Sequence, residues 1–407
     1  MGVYLNPGND KFRRIINSEI YIDKTGLILY TNKVLDTQQQ NICVSRPRRF
    51  GKSMAANMLA AYYSRECDSK ELFKGLKIYE DKNFEKYLNK YDTIFLNMQE
   101  FLSQTENMTE MIELIRKSVL WELTAKYDDI RYFDNSNLTR SLQDIYLNTK
   151  IPFVIIIDEW DYIFREYKNN IDEQRKYLDF LRDLLKDKSY IHLAYMTGIL
   201  PIKKYGTHSA LNMFDEFSMI DPGPLAEYVG FTEKEVRGLC QEHALDFNEA
   251  NKWYDGYRFD KIGHVYSPNS IIEAVINQKF SNYWTQTETY ESLRIYIDMD
   301  FDGLKKAIID MLGGQKCRID TGTFQNDMTS LQGRDDVLTL LVHLGYLAYD
   351  DDSGEVYIPN EEVRQEFIRA VKNGKRKELV KAVQLSDRML EATLSMDCET
   401  VAEILEE

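Results

Sequence analysis

The sequence predicts an α/β protein: a parallel sheet covered by helices, followed by a helical segment and a final helix–hairpin–helix module. Three observations predict it. Apolar runs of strand length alternate with helical segments through the first half, two of these runs end in polar residues suited to chemistry, and the pattern turns helical after Asp221-Pro222-Gly223-Pro224. Such alternation requires right-handed crossovers and a sheet covered on both faces.

Asp10 to Asn32 carries Tyr21-Ile22-Asp23-Lys24-Thr25 and an apolar helical stretch. The run Asn41-Ile42-Cys43-Val44-Ser45 is the first strand; Arg46-Pro47-Arg48-Arg49-Phe50-Gly51-Lys52-Ser53 follows, then a helix over Met54–Tyr63. A strand entering Gly-Lys-Ser and then a helix is the architecture of a phosphate-binding loop. Backbone N–H groups and the positive helix N-terminus cradle phosphate oxygens, the Lys reaches the β/γ-phosphates, and the Ser hydroxyl holds Mg2+. The fold class is therefore that of a P-loop NTPase. Arg49, Phe50, Gly51, Lys52, Ser53 and Met54 are the expected phosphate-binding stretch, and Tyr21 and Asp23 are placed to fold over the base. Arg46 stands where the usual motif has its first Gly, and Pro47 removes a donor, so the start of the loop must differ.

Tyr91–Met98 reads as a second strand, and Met108 to Tyr127 as an amphipathic helix with Ile112, Ile115, Val119 and Leu123 on one stripe. Phe153–Ile157 is a strand buried on both faces that ends in Asp158-Glu159. Carboxylates at a strand's C-terminal end sit where ligands bind in open α/β sheets. Asp158 is expected to reach Mg2+ beside Ser53, and Glu159 to orient or deprotonate the attacking water. The alternative for both is an acidic helix N-terminus favoured by the helix dipole. A helix over Gln174–Asp187 leads to a strand over Tyr190–Gly198. Thr197 at its end is either a γ-phosphate sensor or a turn residue, and His192 within it is expected to be packed. Phe214–Ile220 supplies a fifth strand.

Beyond the proline-rich break, Thr232-Glu233-Lys234-Glu235 opens a helix with a capping-box pattern. Arg258, in the aromatic loop Trp253–Phe259, either reaches the nucleotide from a lid or belongs to a structural aromatic cluster. Arg334–His343, a hairpin through Asp350–Gly354 and a closing helix suggest a winged helix. The expected division is 1–222, 223–330 and 331–407, with a helical tail over Lys375–Glu407.

At 407 residues the chain exceeds one ordinary domain. No apolar stretch is long enough to span a bilayer and no secretory signal opens the chain, so a cytoplasmic protein is expected. Five scattered cysteines and five dispersed histidines indicate neither a disulfide framework nor a zinc site. A net charge of −15 argues against a protein that coats nucleic acid, although Arg46, Arg48, Arg49, Lys52, Lys203 and Lys204 could form a local basic groove. The acidic hairpin tip, Asp350, Asp351, Asp352 and Glu355, opposes phosphate and favours a lid or protein-interaction role.

Together these motifs, with Asp158-Glu159-Trp160-Asp161, Thr197-Gly198, Trp253-Tyr254-Asp255-Gly256-Tyr257, Tyr283-Trp284 and Ile358-Pro359-Asn360-Glu361-Glu362-Val363, resemble the bacterial AAA-ATPase-like family. In that family Arg46 at the first loop position is normal. The resemblance implies ATP and Mg2+ as ligands. It also implies a nuclease effector domain of the PD-(D/E)xK type, expected here to be either lost by truncation or supplied separately, since Glu80-Asp81-Lys82 and Glu166-Tyr167-Lys168 lie in or near helical stretches and do not make such a site. The expected function is Mg-dependent ATP hydrolysis that controls a protein effector, with a homo-oligomer possible. An Arg, either Arg258 or one from a neighbouring subunit, would neutralise developing charge. The alternatives are a slow nucleotide-gated interaction switch and a DNA-remodelling ATPase.

Overall fold

The computed structural model describes residues 2–168, 170–202, 211–259, 262–284, 290–299, 301, 303–325, 331–372, 385, 388–390 and 392–406. They form two compact units, Met1–Phe231 with Gln325–Leu331, and Thr232–Phe324 with Gln332–Glu407. The expected boundary at 222 thus moves to Phe231, and the segments expected as 223–330 and 331–407 share one unit.

The first unit is built on five parallel strands, β1 Asn41–Ser45, β2 Asp92–Asn97, β3 Phe153–Asp158, β4 Ile191–Gly198 and β5 Asp215–Phe217. Their order is β2-β3-β4-β1-β5. Every residue of β1 and β3 is buried, as near-continuous apolar runs require when helices cover both faces. Ile94, Leu96, Ile155 and Ile157 share a core with Met111, Ile115 and Val119 of the helix Met108–Lys126 and with Leu178, Leu181 and Leu185 of the helix Ile171–Leu185. Val154 and Ile156 alternate to the other face. Helices α1 Asp10–Ile16, α2 Gly26–Val34 and α3 Lys52–Tyr63 precede or follow β1 in sequence, and α3 lies against β2, β3 and β4. Asn107, Asn137 and Asn170 each cap a helix by accepting a backbone N–H from three residues on.

The sequence reading missed the N-terminal segment. Leu5 bridges Ile94 in antiparallel fashion, Asn6 N–H donates to Thr93 O at 2.7 Å, and Phe95 N–H donates to Tyr4 O at 2.8 Å. This segment covers the free edge of β2. The Glu122 carboxylate secures it, accepting from the N–H groups of Val3, Tyr4 and Leu5 at 2.7–3.0 Å. His192 is packed as expected, between the rings of Tyr91 and Tyr146.

In the second unit the Thr232–Glu235 capping box forms and opens the helix Glu233–Glu242. The hairpin Tyr257–Phe259 and Gly263–Tyr266 follows the helix Phe247–Tyr254. Later come the helix Arg334–Leu344, the hairpin Ala348–Asp350 and Glu355–Tyr357, and the helix Glu361–Lys372, with Cys317–Arg318 adding a third antiparallel strand to the hairpin. Of the expected helical tail, Cys398–Glu406 is helical, while 375–384, 386–387, 391 and 407 lie outside the described residues. All five cysteines are free. Among the described residues no helix is long and apolar enough to cross a membrane.

Candidate nucleotide-binding site

The site lies at the C-terminal ends of β1, β3 and β4. Insertion of β4 between β1 and β3 puts Thr197 between the loop after β1 and the carboxylates at the end of β3.

The loop starts from an anchored residue. Arg46 is fully buried; its N–H donates to Gly198 O at 3.0 Å, and its Nη1 donates to the carbonyls of Ser45, Phe217 and Ser218 at 2.7–3.1 Å. Burial pushes its guanidinium down to about 10. Arg46 therefore joins β1, β4 and β5 and contributes to the wall behind the loop. It does not belong to an exposed basic groove, and Lys203 and Lys204 lie outside the described residues.

Arg49 (φ 61°) and Gly51 (φ 93°) then take left-handed conformations. A Cβ on Gly51 would meet nothing within 4 Å, so glycine is favoured there by its backbone angle alone. Helix α3 begins at Lys52 with no side-chain cap, unlike the Asn-capped helices, and its first-turn N–H groups are available to an anionic ligand. That uncapped terminus fits a phosphate. Ser53 and Met54, in the first turn, are exposed, and Phe50 is buried beneath the loop. Lys52 is buried and its Nζ donates to Pro47 O at 2.9 Å. Burial lowers its proton affinity, while the charges of Glu159, Asp161 and Asp158 oppose that effect.

Asp158 is 2% exposed. Its Oδ1 accepts from the Thr197 hydroxyl and from Glu159 N–H at 3.1 Å, and its Oδ2 faces the Asn97 amide at 3.5 Å. Glu159 takes a left-handed φ of 53°. Burial raises its carboxyl above the ordinary range; Lys52 and Arg165 pull it back, and Asp161 and Asp158 push it further up. Its carboxylate pairs with Arg165. The next residues lock the turn: Trp160 N–H donates to Thr197 O at 2.9 Å, and the Tyr177 hydroxyl donates to Trp160 O at 2.8 Å. Asp161 Oδ2 accepts from Leu200 N–H at 2.9 Å. A Cβ on Gly198 would sit 2.6 Å from Asp161 Oδ1 and from the Trp160 indole, so only glycine fits.

Lys52, Asp158, Glu159 and Thr197 are thus brought together. Asn97, Asp161 and Arg165 join them without having been assigned roles from sequence. The one local signal was the Asp161–Arg165 spacing of four, common on any helix surface. Asp23 has a structural network of its own: its carboxylate accepts from Thr25 N–H and Oγ1 at 2.8 and 2.7 Å, and from Lys77 N–H at 2.7 Å. Tyr21 packs edge-on against Phe12. Arg258 is an exposed residue of the second unit, where its charge acts on Asp350 and Tyr357.

Residues 7–207 match the family described as "Predicted AAA-ATPase". This stretch belongs to the AAA-ATPase-like family. The AAA-ATPase-like stretch holds every expected site residue except Arg258. An uncharacterized protein in the vnfD 5′ region of Azotobacter chroococcum mcd 1 is 23% identical over 280 residues, 66% of this chain and 51% of that protein. The chain therefore spans about half the length of this curated relative. Among solved structures, the Walker-type ATPase of Pyrococcus abyssi matches with a TM-score of 0.41 and 14% identity, over 84% of this chain and 94% of its own. The ORC2 protein of Aeropyrum pernix, solved in ADPNP–ADP complexes, gives 0.38 and 11% identity, over 94% of this chain and 98% of its own.

Proposed function

We propose that this protein binds ATP with Mg2+ and hydrolyses it. The observation that supports the reading best is the buried Lys52 at an uncapped helix N-terminus, electrostatically coupled to Asp158 and Glu159. The N–H groups from Arg49 to Met54 bind phosphate oxygens, and Lys52 exchanges the Pro47 carbonyl for the β/γ-phosphates. Ser53 and Asp158 would hold Mg2+, which supplies positive charge to the phosphate oxygens. Asp158 suits that role: it is a carboxylate oriented by Thr197 and Asn97. Glu159 orients the attacking water and accepts its proton. Little more than positioning and electrostatics is required, since phosphoryl transfer asks for no covalent chemistry from the protein. Tyr21 and Asp23 shape the wall near the base, and Asp23 acts through the turn at Lys77. Arg258 or a neighbouring subunit's Arg neutralises developing charge. The second unit, with its winged-helix-like hairpin and acidic tip, serves as a protein-interaction module.

The test is ATP affinity and steady-state hydrolysis with Mg2+ for the wild type, Lys52→Ala and Glu159→Gln. Loss of binding in the first variant and retained binding with roughly 10²-fold slower turnover in the second is the expected result. Unchanged turnover in Glu159→Gln would remove that residue from its role.

A further inference from the structure

Arg165 lies on the short helix Tyr162–Glu166, just beyond the carboxylates, and its side chain is only 10% exposed. Its Nη2 pairs with Glu159 Oε2, and its Nε lies 3.3 Å from Asp161 Oδ2. The guanidinium also sits over the Tyr162 ring at 5.0 Å. One planar cation therefore joins two carboxylates, each of which does something different. Glu159 is the residue read above as orienting water. Asp161 pins Leu200 N–H, and so the chain leaving β4.

Without that cation Glu159 would stand beside two like charges, Asp158 and Asp161, with Lys52 left to offset them among the described residues. Its left-handed backbone already costs a non-glycine residue some strain, so neither backbone preference nor local charge would hold its side chain in one place. A guanidinium fork supplies direction as well as charge, which an ammonium cannot do.

We propose that Arg165 is a positioning residue for ATP hydrolysis: it fixes the Glu159 carboxylate against Asp161 so that water is presented in one orientation. The inference rests on the ATPase reading above. It is distinct from an arginine that binds phosphate, because Arg165 acts on the carboxylate that holds the water.

The experiment compares Mg·ATP turnover and ATP affinity for the wild type, Arg165→Ala, Arg165→Lys, Glu159→Gln and the double variant Glu159→Gln/Arg165→Ala. Arg165→Ala should lower kcat about 10- to 100-fold with ATP affinity unchanged, the usual weight of a group that orients a reacting side chain. Arg165→Lys should recover part of that loss. The double variant should be no slower than Glu159→Gln alone, because with the carboxylate gone Arg165 has nothing to position. Equal losses in both backgrounds, loss of ATP binding in Arg165→Lys, or faster turnover in Arg165→Ala would each overturn the proposal. Absence of turnover in the wild type would sink the ATPase reading itself, whereas wild-type turnover that falls in Glu159→Gln and is untouched in Arg165→Ala would remove Arg165 alone.

Discussion

The Thr197 hydroxyl donates to Asp158 Oδ1, and both side chains are buried, 0% and 2% exposed, at the ends of neighbouring parallel strands. A threonine expected to read the γ-phosphate is thus also the orienting partner of the expected Mg2+ ligand. Thr197→Ala should therefore raise the Mg2+ concentration needed for half-maximal turnover, by about 10- to 100-fold as for other groups that orient a metal ligand. Thr197→Ser should stay near wild type. A Mg2+ titration of turnover decides the matter: changed ATP-over-ADP preference at unaltered Mg2+ dependence would assign Thr197 to the phosphate alone.

Arg46 stands where the usual loop has glycine, and Arg46→Gly would restore the usual pattern while damaging the protein. The substitution removes the donor to the Phe217 and Ser218 carbonyls and leaves a void the size of an arginine side chain. Each buried acceptor left unpaired costs about 1–3 kcal/mol, so a loss of roughly 3 kcal/mol or more is expected. A denaturant melt of the full chain measures it. A variant as stable as the wild type would show that the β5 contact contributes nothing.

The strands and the placing of the polar residues at their ends were legible because both are local. The run Asn41–Ser45 and the Gly-Lys-Ser turn lie within one short stretch, and Phe153–Ile157 carries Asp158 and Glu159 at its end. Asp158 is itself the last residue of its strand. Helix α3 starts at Lys52, slightly earlier than the expected Met54, because Gly51 supplies the left-handed turn that begins it. The buried function of Arg46 was not legible, since its acceptors lie some 170 residues away. The same holds for Glu122 and the N-terminal segment, which are joined across more than 110 residues. Periodicity reports which face is buried, but not which side chain will find which distant carbonyl.

Glu122 leads to a prediction about association. Three backbone N–H groups, from Val3 to Leu5, converge on its carboxylate, and the segment they belong to covers the edge of β2. An uncovered edge strand is a template for pairing with another chain. Glu122→Ala should loosen residues 3–5 and raise self-association at micromolar concentration, as read by light scattering; Glu122→Gln should retain part of the clasp. Monodisperse Glu122→Ala protein at every concentration would show that the segment holds without it.

The second unit carries a pH dependence of its own. Glu362 is 1% exposed; its Oε1 accepts from Tyr283 N–H at 2.6 Å and Trp284 N–H at 2.9 Å, and its Oε2 accepts from Ser270 at 2.9 Å. Burial raises its carboxyl to about 7; the three donors oppose the rise and the neighbouring Glu366 adds to it. A carboxyl that holds its proton more tightly when folded stabilises the fold fully below its unfolded pKa, near 4.3, and loses that contribution as pH climbs through the folded value. The loss is about 4 kcal/mol at most between roughly pH 4 and pH 8. The melting temperature of this unit should therefore fall across that window. Glu362→Gln keeps the shape, can accept both backbone N–H groups and never ionises, so it should flatten much of the fall and melt above the wild type at pH 8. Glu366 and Asp255, both raised by burial, add slope of the same sign. Parallel pH profiles for the wild type and Glu362→Gln would mean that Glu362 stays ionised in the fold, its three donors outweighing the burial.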